Sequence, residues 1–370
     1  MGRNDVKVSM VGVGNCASAL VQGSAFYRAA GPGLIHFNLG GLRPRDIQFV
    51  GAWDVDARKV GGLLREVIVE PPNCTYRAPV TDEDLERQCG QVRVSPAPLL
   101  DGLGERLRCH ITDVQDTGAG GDDRRQIVSV LRNADVLVNY LPVGSEEASR
   151  WWAEAALESG CAFVNAIPVF IANDAAWARR FEDASLPLMG DDIKSQVGAT
   201  IAHRALVELL ASRGVELKRT YQLNAGGNYD FVNLMEPSRL ASKRKSKTGA
   251  VLDLAPGLDP ELDIHISPSA EIPWLGDRKL AFIRLEAEAF LGTPLSIEVR
   301  MEVWDSPNSA GCVIDLVRIA KLALERGEGG ILRDPCAVYM KAPPTQMNEQ
   351  AAASRLLEWS KFRQPVAATA

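Results

Sequence analysis

Apolar and polar positions set out a repeating strand-turn-helix order from the first residues. Val6, Val8, Met10 and Val11 form a short apolar run of strand type. It ends in Gly12-Val13-Gly14-Asn15-Cys16, and ASALVQGSAFYRAA continues with helical character. Strand, glycine turn and helix open a dinucleotide-binding unit. Gly12 suits the tight turn, and Gly14 lets backbone approach a pyrophosphate. The helix start offers free N–H groups and the positive end of its dipole. A second strand is predicted over residues 47–53 and ends at Asp54, placed to hydrogen-bond an adenosine ribose. The usual interval after the glycines is about 20 residues; here it is 54 − 14 = 40. The added length reads as loop, with Gly31-Pro32-Gly33 and Gly40-Gly41 in it, and the third glycine of the fingerprint is missing. A plain strand-to-helix turn therefore remains the alternative.

Residues 70–125 are broken by Pro71-Pro72, Pro96-Ala97-Pro98 and Gly118-Ala119-Gly120-Gly121 and read as loops with short elements. Regular alternation then returns. Residues 134–140 read as a buried strand, EEASRWWAEAALES as a helix stopped by Gly160, and 161–165 and 186–189 as further strands. From about residue 218 the period changes. TYQLNAGG, DIHIS, KLAFIRLEAEAF and LSIEVRMEVWD alternate apolar and charged positions, as strands with one wet face do. AGCVIDLVRIAKLALERGEGG resumes the helical style. The expected fold is α/β: a dinucleotide-binding domain over 1–200, an inserted β-rich domain over 201–300, and a segment over 301–370 returning to the first.

Composition narrows the class. The chain has 370 residues, 41 basic against 47 acidic, for a net charge of −6. That balance argues against a general nucleic-acid binder. Hydrophobic residues at 46% and charged residues at 24% suit a protein with a large core. The seven cysteines form no CxxC pair, so neither a disulfide framework nor structural zinc is expected. Free thiols suit a reducing cytoplasm. No signal peptide or membrane span is read, and the four histidines show no metal-ligand or triad spacing. Metal is not expected.

Four stretches hold residues that a plain core does not need. In GDDIKSQVGAT (190–200), Ser195, Gln196 and Gly198 open a helix and could seat a phosphate; N-capping by Asp192 or Ser195 is the alternative. In Asn224-Ala225-Gly226-Gly227-Asn228-Tyr229-Asp230 the glycines permit close approach to a ligand, or simply a hairpin turn. Lys243 and Lys247, four apart, would share a helix face and address an anion, or line a solvated basic stretch. Asp277-Arg278-Lys279, Trp304-Asp305-Ser306-Pro307-Asn308-Ser309 and Tyr339-Met340-Lys341 are each, alone, turn or surface.

Taken together, these stretches resemble the bacterial myo-inositol-1-phosphate synthases. The matching segments include VGVGNCASALVQG (11–23), DVDARKVG (54–61), YLPVGSEEA (140–148), FVNAIPVFIA (163–172), GDDIKSQVGATIAHR (190–204), SKRKSKT (242–248), WLGDRK (274–279) and EVWDSPNSAG (302–311). Residues 65–130 and the tail after 341 match poorly. The resemblance implies a Rossmann-type NAD domain, an inserted domain for catalysis and tetramerisation, and a homotetramer in the cytoplasm acting on a small sugar phosphate, with neither nucleic acid nor membrane as partner. It implies a reaction without net redox change: C5 of a hexose 6-phosphate is oxidised, a C6 proton is lost, the enolate attacks a carbonyl of the same molecule, and C5 is reduced again. Lys243, Lys247, Lys279 and Lys341 become the catalytic lysines, with Lys194 near them and Asp305 orienting a lysine or holding the nicotinamide region. Gly12, Gly14, Asn15, Cys16, Asp54, Tyr140, Leu141, Pro142 and Asp191 become cofactor contacts. Ser195, Gln196 and Gly198 would seat the phosphate, and Asn228, Tyr229 and Asp230 would line the substrate loop.

Departures from the family pattern surround these groups. Tyr229 replaces a methionine, and 236–244 and 276–280 are altered. Glucose 6-phosphate would give a six-membered inositol phosphate. Fructose 6-phosphate would give a five-membered cyclitol phosphate, as in the branch of the family that resembles this reaction and serves carbocyclic nucleosides such as aristeromycin. The altered loop tips the sequence reading toward the five-membered product. A non-catalytic binder of NAD and sugar phosphate, and an ordinary NAD dehydrogenase, are the competing classes.

Overall fold

A computed structural model describes residues 5–111, 113–239, 251–255 and 257–361. Strands β1 (Val6–Val11), β2 (Ile47–Asp54), β3 (Val94–Pro96), β4 (Val136–Asn139), β5 (Ala162–Asn165) and β6 (Pro187–Met189) form one parallel sheet. Its order is β3-β2-β1-β4-β5-β6, the doubly wound order of dinucleotide-binding proteins. β7 (Glu216–Gly226), β8 (Ile264–Glu271), β9 (Arg278–Glu288) and β10 (Pro294–Trp304) form a second sheet in the order β10-β9-β7-β8. The chain then returns, and β11 (Gly330–Ile331) adds to the first sheet beside β6. The α/β fold with a Rossmann-type parallel sheet is therefore present.

The parallel strands are buried on both faces, which explains their unbroken apolar runs. Val136 and Val138 join the core under the helices Asn15–Phe26 and Asp305–Arg326, while Leu137 and Phe163 join Trp152 and Phe181 on the other side. Gly23 allows the helices Asn15–Phe26 and Asp305–Arg326 to meet: a Cβ there would lie 3.2 Å from Ile314 Cδ1. The second sheet is one-sided. Ala281, Ile283 and Leu285 pack with Val207 and Leu210 of the helix Ala199–Ser212, while Tyr221, Phe282 and Trp304 lie exposed on the other face.

The stretch 70–125 holds more structure than its punctuation predicts. Asp82–Cys89 is a helix capped by the Thr81 side chain, and Gly121–Leu131 is another. The second has only Ile127, Val128 and Leu131 buried, too few apolar positions to show a period. Among the described residues no helix is long and apolar enough to cross a membrane.

The sheet order reverses between β1 and β4, and open α/β sheets bind ligands beyond the carboxyl ends of strands at such a point. The end of β7, the start of β9 and the end of β10 meet those carboxyl ends across one cleft.

Candidate active site

The glycine turn forms one end of the cleft. Gly12 has φ +86°, and a Cβ on it would fall 2.5 Å from the Tyr140 carbonyl oxygen, so only glycine fits. Gly14 precedes the helix Asn15–Phe26, and no side chain caps that helix start. A Cβ at Gly14 would meet nothing within 4 Å, leaving open space in front of the free N–H groups. Asn15 is fixed by accepting from Cys74 N–H at 2.8 Å. Cys16 lines the cleft, but burial, with Asp277 and Asp305 nearby, pushes its thiol up to about 12, so it packs as a neutral group. Tyr140, Leu141, Pro142, Val143 and Ile167 supply an apolar wall. Tyr140 Oη is buried without a hydrogen-bond partner. An open helix start, a glycine cradle and an orphan hydroxyl in one wall fit a dinucleotide, which Gly14, Asn15, Cys16 and the 140–143 wall would hold.

Asp54 behaves differently from the ribose contact read in the sequence. Its Oδ2 accepts from Val13 N–H at 2.8 Å and lies 3.4 Å from Lys59 Nζ, and its Oδ1 accepts from the N–H groups of Val55 and Asp56. The carboxylate is engaged in holding the glycine turn to β2, so a ribose hydroxyl would have to share these acceptors.

The charged end of the cleft is built on a short antiparallel ladder. Asp191 N–H donates to Ala342 O, Lys341 N–H to Asp192 O, and Lys194 N–H to Tyr339 O. Asp192, at φ +61°, breaks the regular alternation of side chains in this ladder. Asp192, Ile193, Ser195 and Lys341 line the cleft, and Lys341 Nζ sits 2.9 Å from Asp192 Oδ1. Lys279, on β9, places Nζ 3.1 Å from Oδ1 of Asp305, the first residue of the helix Asp305–Arg326. Ser195, Gly198, Thr200 and Gln222 join Lys279, Lys341 and Asp305 around an adjoining recess at the start of the helix Ala199–Ser212.

Three sequence assignments are corrected by this geometry. Asp191 lies outside the cleft and is fully buried. It accepts from Asn165 Nδ2, Asn173 Nδ2 and the N–H groups of Ile171, Ala172 and Asn173, so it is an internal anchor for the wall loop. Burial pushes its carboxyl up to about 6 against the pull of those donors. Its neighbour Asp192, which the sequence offered only as an alternative helix cap, faces the cleft. Lys194 also points away: Nζ is bonded to Ala337 O at 2.9 Å and Glu349 Oε1 at 3.0 Å, and burial lowers its pKa. Gln196 turns outward to the Gly33 carbonyl and packs over Gly311.

Asn228, Tyr229 and Asp230 line the cleft between its two ends. Asn228 caps the short helix Tyr229–Leu234 through Oδ1 and donates Nδ2 to Asp277 at 2.9 Å. The Tyr229 ring packs against His110 with centroids 5.2 Å apart, and Arg58 interacts with it from the β2 side. Gly226 and Gly227 serve neither ligand approach nor a hairpin. Cβ atoms there would strike the Phe231 ring and the Ile272 carbonyl, both at 2.3 Å, so the glycines admit the protein's own packing. Lys243 and Lys247 lie outside the described residues.

Asp277 is a residue the sequence reading left as turn or surface. It is fully buried and accepts from Thr75 Oγ1 at 2.6 Å, Ser306 Oγ at 2.8 Å and Asn228 Nδ2, with Asn15 Nδ2 at 3.4 Å. Burial raises its carboxyl pKa despite these donors. One carboxyl thus ties the glycine turn to the substrate loop and the Asp305 helix. Nothing local in DRK signals this, because the donors come from four distant segments.

Comparison with known proteins agrees with this architecture. The family model described as myo-inositol-1-phosphate synthase matches residues 198–306. An inositol-3-phosphate synthase of Mycolicibacterium smegmatis is 49% identical over 366 residues, covering 95% of this chain and 97% of that protein. One from Corynebacterium glutamicum is 48% identical, covering 96% of this chain and 98% of that protein. A crystal structure of Ari2 superposes with a TM-score of 0.75 at 32% identity, covering 97% of this chain and all of that one. With near-complete coverage at this identity, and with the glycine turn and the lysine–carboxylate pairs in one cleft, the chain belongs to the inositol-3-phosphate synthase family.

Proposed function

We propose that this chain cyclises a hexose 6-phosphate to a cyclitol phosphate with no net redox change, and that it holds NAD for that purpose. The supporting observation is the continuity of one cleft from an uncapped helix start to two lysine–carboxylate pairs. Held by Gly14, Asn15, Cys16 and the 140–143 wall, NAD would supply reversible hydride acceptance. The remaining work belongs to the protein. Ser195, the Gly198–Thr200 turn and the dipole end of the helix Ala199–Ser212 receive the phosphate. Lys279 and Lys341 supply ammonium groups to oxygens that gain negative charge during enolisation and ring closure. Fixed donors in a partly dry site stabilise such charge far better than water does. Asp305 and Asp192 aim those ammonium groups. Asn228 and Asp230 face the sugar from the side. By family match, Lys243 and Lys247 add to the cationic set.

Glucose 6-phosphate is the first substrate reading, supported by the 48–49% identity to inositol-3-phosphate synthases across nearly the whole chain. Fructose 6-phosphate, closing a five-membered ring, is the second. It is favoured by Tyr229, which lines the cleft where the family pattern has methionine. Its ring packs on His110. The test is to incubate the protein and NAD with each sugar phosphate and identify the ring by NMR. Cyclitol phosphate without net change in nicotinamide absorbance is expected. Accumulating NADH would instead identify a dehydrogenase, and bound NAD without turnover a non-catalytic binder.

The working unit proposed is a homotetramer, for which the exposed face bearing Tyr221, Phe282 and Trp304 offers a surface. Sedimentation at equilibrium tests it, and a monomer mass would refute it.

A further inference from the structure

The structure assigns a positioning role to Arg239, a residue that does not itself line the cleft but braces its wall from behind. This inference rests on the cyclisation reading above. Arg239 is buried, although it is an arginine on a short surface turn, Pro237–Arg239. Its Nη1 donates to Val143 O at 3.0 Å and its Nη2 to Asp101 O. Asn233 Nδ2 donates to the same Val143 oxygen at 2.7 Å. Glu236 lies 3.9 Å from Nε.

The receiving loops are shaped for this guanidinium. A Cβ at Gly144 would fall 2.7 Å from Arg239 Cγ. A Cβ at Gly104, whose φ of −73° any residue could adopt, would fall 2.6 Å from Arg239 Nε and 2.2 Å from Glu236 Oε2. Two glycines in two separate loops thus leave room for one side chain. Val143 continues the Tyr140–Pro142 cofactor wall, and the segment leading to Arg239 begins at Asn228, Tyr229 and Asp230. One planar fork therefore joins the two walls of the cleft. A lysine has the charge but cannot reach two carbonyls in fixed directions. Without the fork, the segment 228–239 must be ordered when substrate binds, which penalises substrate affinity and alignment.

The experiment compares wild type with Arg239→Ala, Arg239→Lys and Gly104→Ala, below the melting temperature of each. The expected result is a fall of roughly 10- to 100-fold in kcat/KM for the sugar phosphate, carried mainly by KM, in all three. NAD affinity should change less than about threefold, because the glycine turn and Tyr140 are untouched. Methylguanidinium should restore part of the loss in Arg239→Ala but not in Gly104→Ala, where the seat itself is filled. Hydrogen exchange over 228–239 should accelerate in every variant, with or without turnover. A kcat/KM within threefold of wild type in Arg239→Ala, or unchanged exchange over 228–239, overturns the inference. Wild-type protein without turnover on either sugar phosphate refutes the cyclisation reading, and the exchange measurement then decides the clasp alone. Should Arg239→Ala not fold, Gly104→Ala carries the same comparison.

Discussion

Lys194→Met separates the family-based reading of this lysine from its place in the structure. The ammonium group is 1% exposed and bonded to Ala337 O and Glu349 Oε1. Methionine has similar length and fills the channel without charge. Glu349 keeps Arg204, whose Nε lies 2.9 Å away, so no buried anion is left alone. The Ala337 carbonyl loses a donor, at about 1–3 kcal/mol for an unsatisfied buried acceptor. Taking about 2 kcal/mol, and an unfolding entropy of roughly 2.1 cal/mol/K for each of the 370 residues, the melting temperature falls by about 2–3 °C. Turnover should stay within about threefold of wild type, because nothing is removed from the cleft. The assay is cyclitol phosphate formation beside a thermal melt on the same preparation. Turnover lowered by about two orders of magnitude or more, with the melting temperature unchanged, would show that Lys194 reaches the reacting atoms, and would refute the geometry.

Further predictions concern the charged groups. Lys279→Met and Lys341→Met should each lower turnover by about 10²–10³, the usual effect of deleting one donor to a developing oxyanion, while NAD titration changes little; near-normal turnover in either would remove that lysine from the mechanism. Asp191→Asn should destabilise the fold by about 2–4 kcal/mol, because an amide N–H would face the five donors now gathered on the carboxyl; a denaturant midpoint equal to wild type would contradict this. Stability should fall as pH rises above about 9. Burial lifts the thiols of Cys16, Cys89, Cys312 and Cys336 to about 12, so the unfolded state loses these protons first. Each contributes a slope of about −1.4 kcal/mol per pH unit between its unfolded and folded values, and Cys312→Ala should remove one such share in melts run from neutral to alkaline pH. A pH-independent melting temperature across that range would refute it.

How much could be read in advance depended on how local each signal was. Val6–Val11, Gly12 and Gly14 lie side by side, and their chemistry is stated within about ten residues. The alternation in β9 and β10 is equally local, because side chains of a strand alternate faces whatever surrounds them. The helix Gly121–Leu131 escaped notice because its buried face is only Ile127, Val128 and Leu131. Asp277 escaped because its donors, Asn15, Thr75, Asn228 and Ser306, are spread over the chain.

The sequence by itself determined the parallel-sheet order of strand and helix, the glycine turn, the wet-faced second sheet and, through long matching motifs, the family. Only the tertiary structure decided which member of each local pair faces the cleft. In 191–196 the residue types were legible, but the folded segment places Asp192, Ile193 and Ser195 on the cleft and leaves Asp191, Lys194 and Gln196 to hold the frame. The physical reason is that this segment is not a regular strand: Asp192 sits at φ +61°, which breaks strict alternation, and the residues that pair with it, 339–342, lie about 150 residues away in the chain.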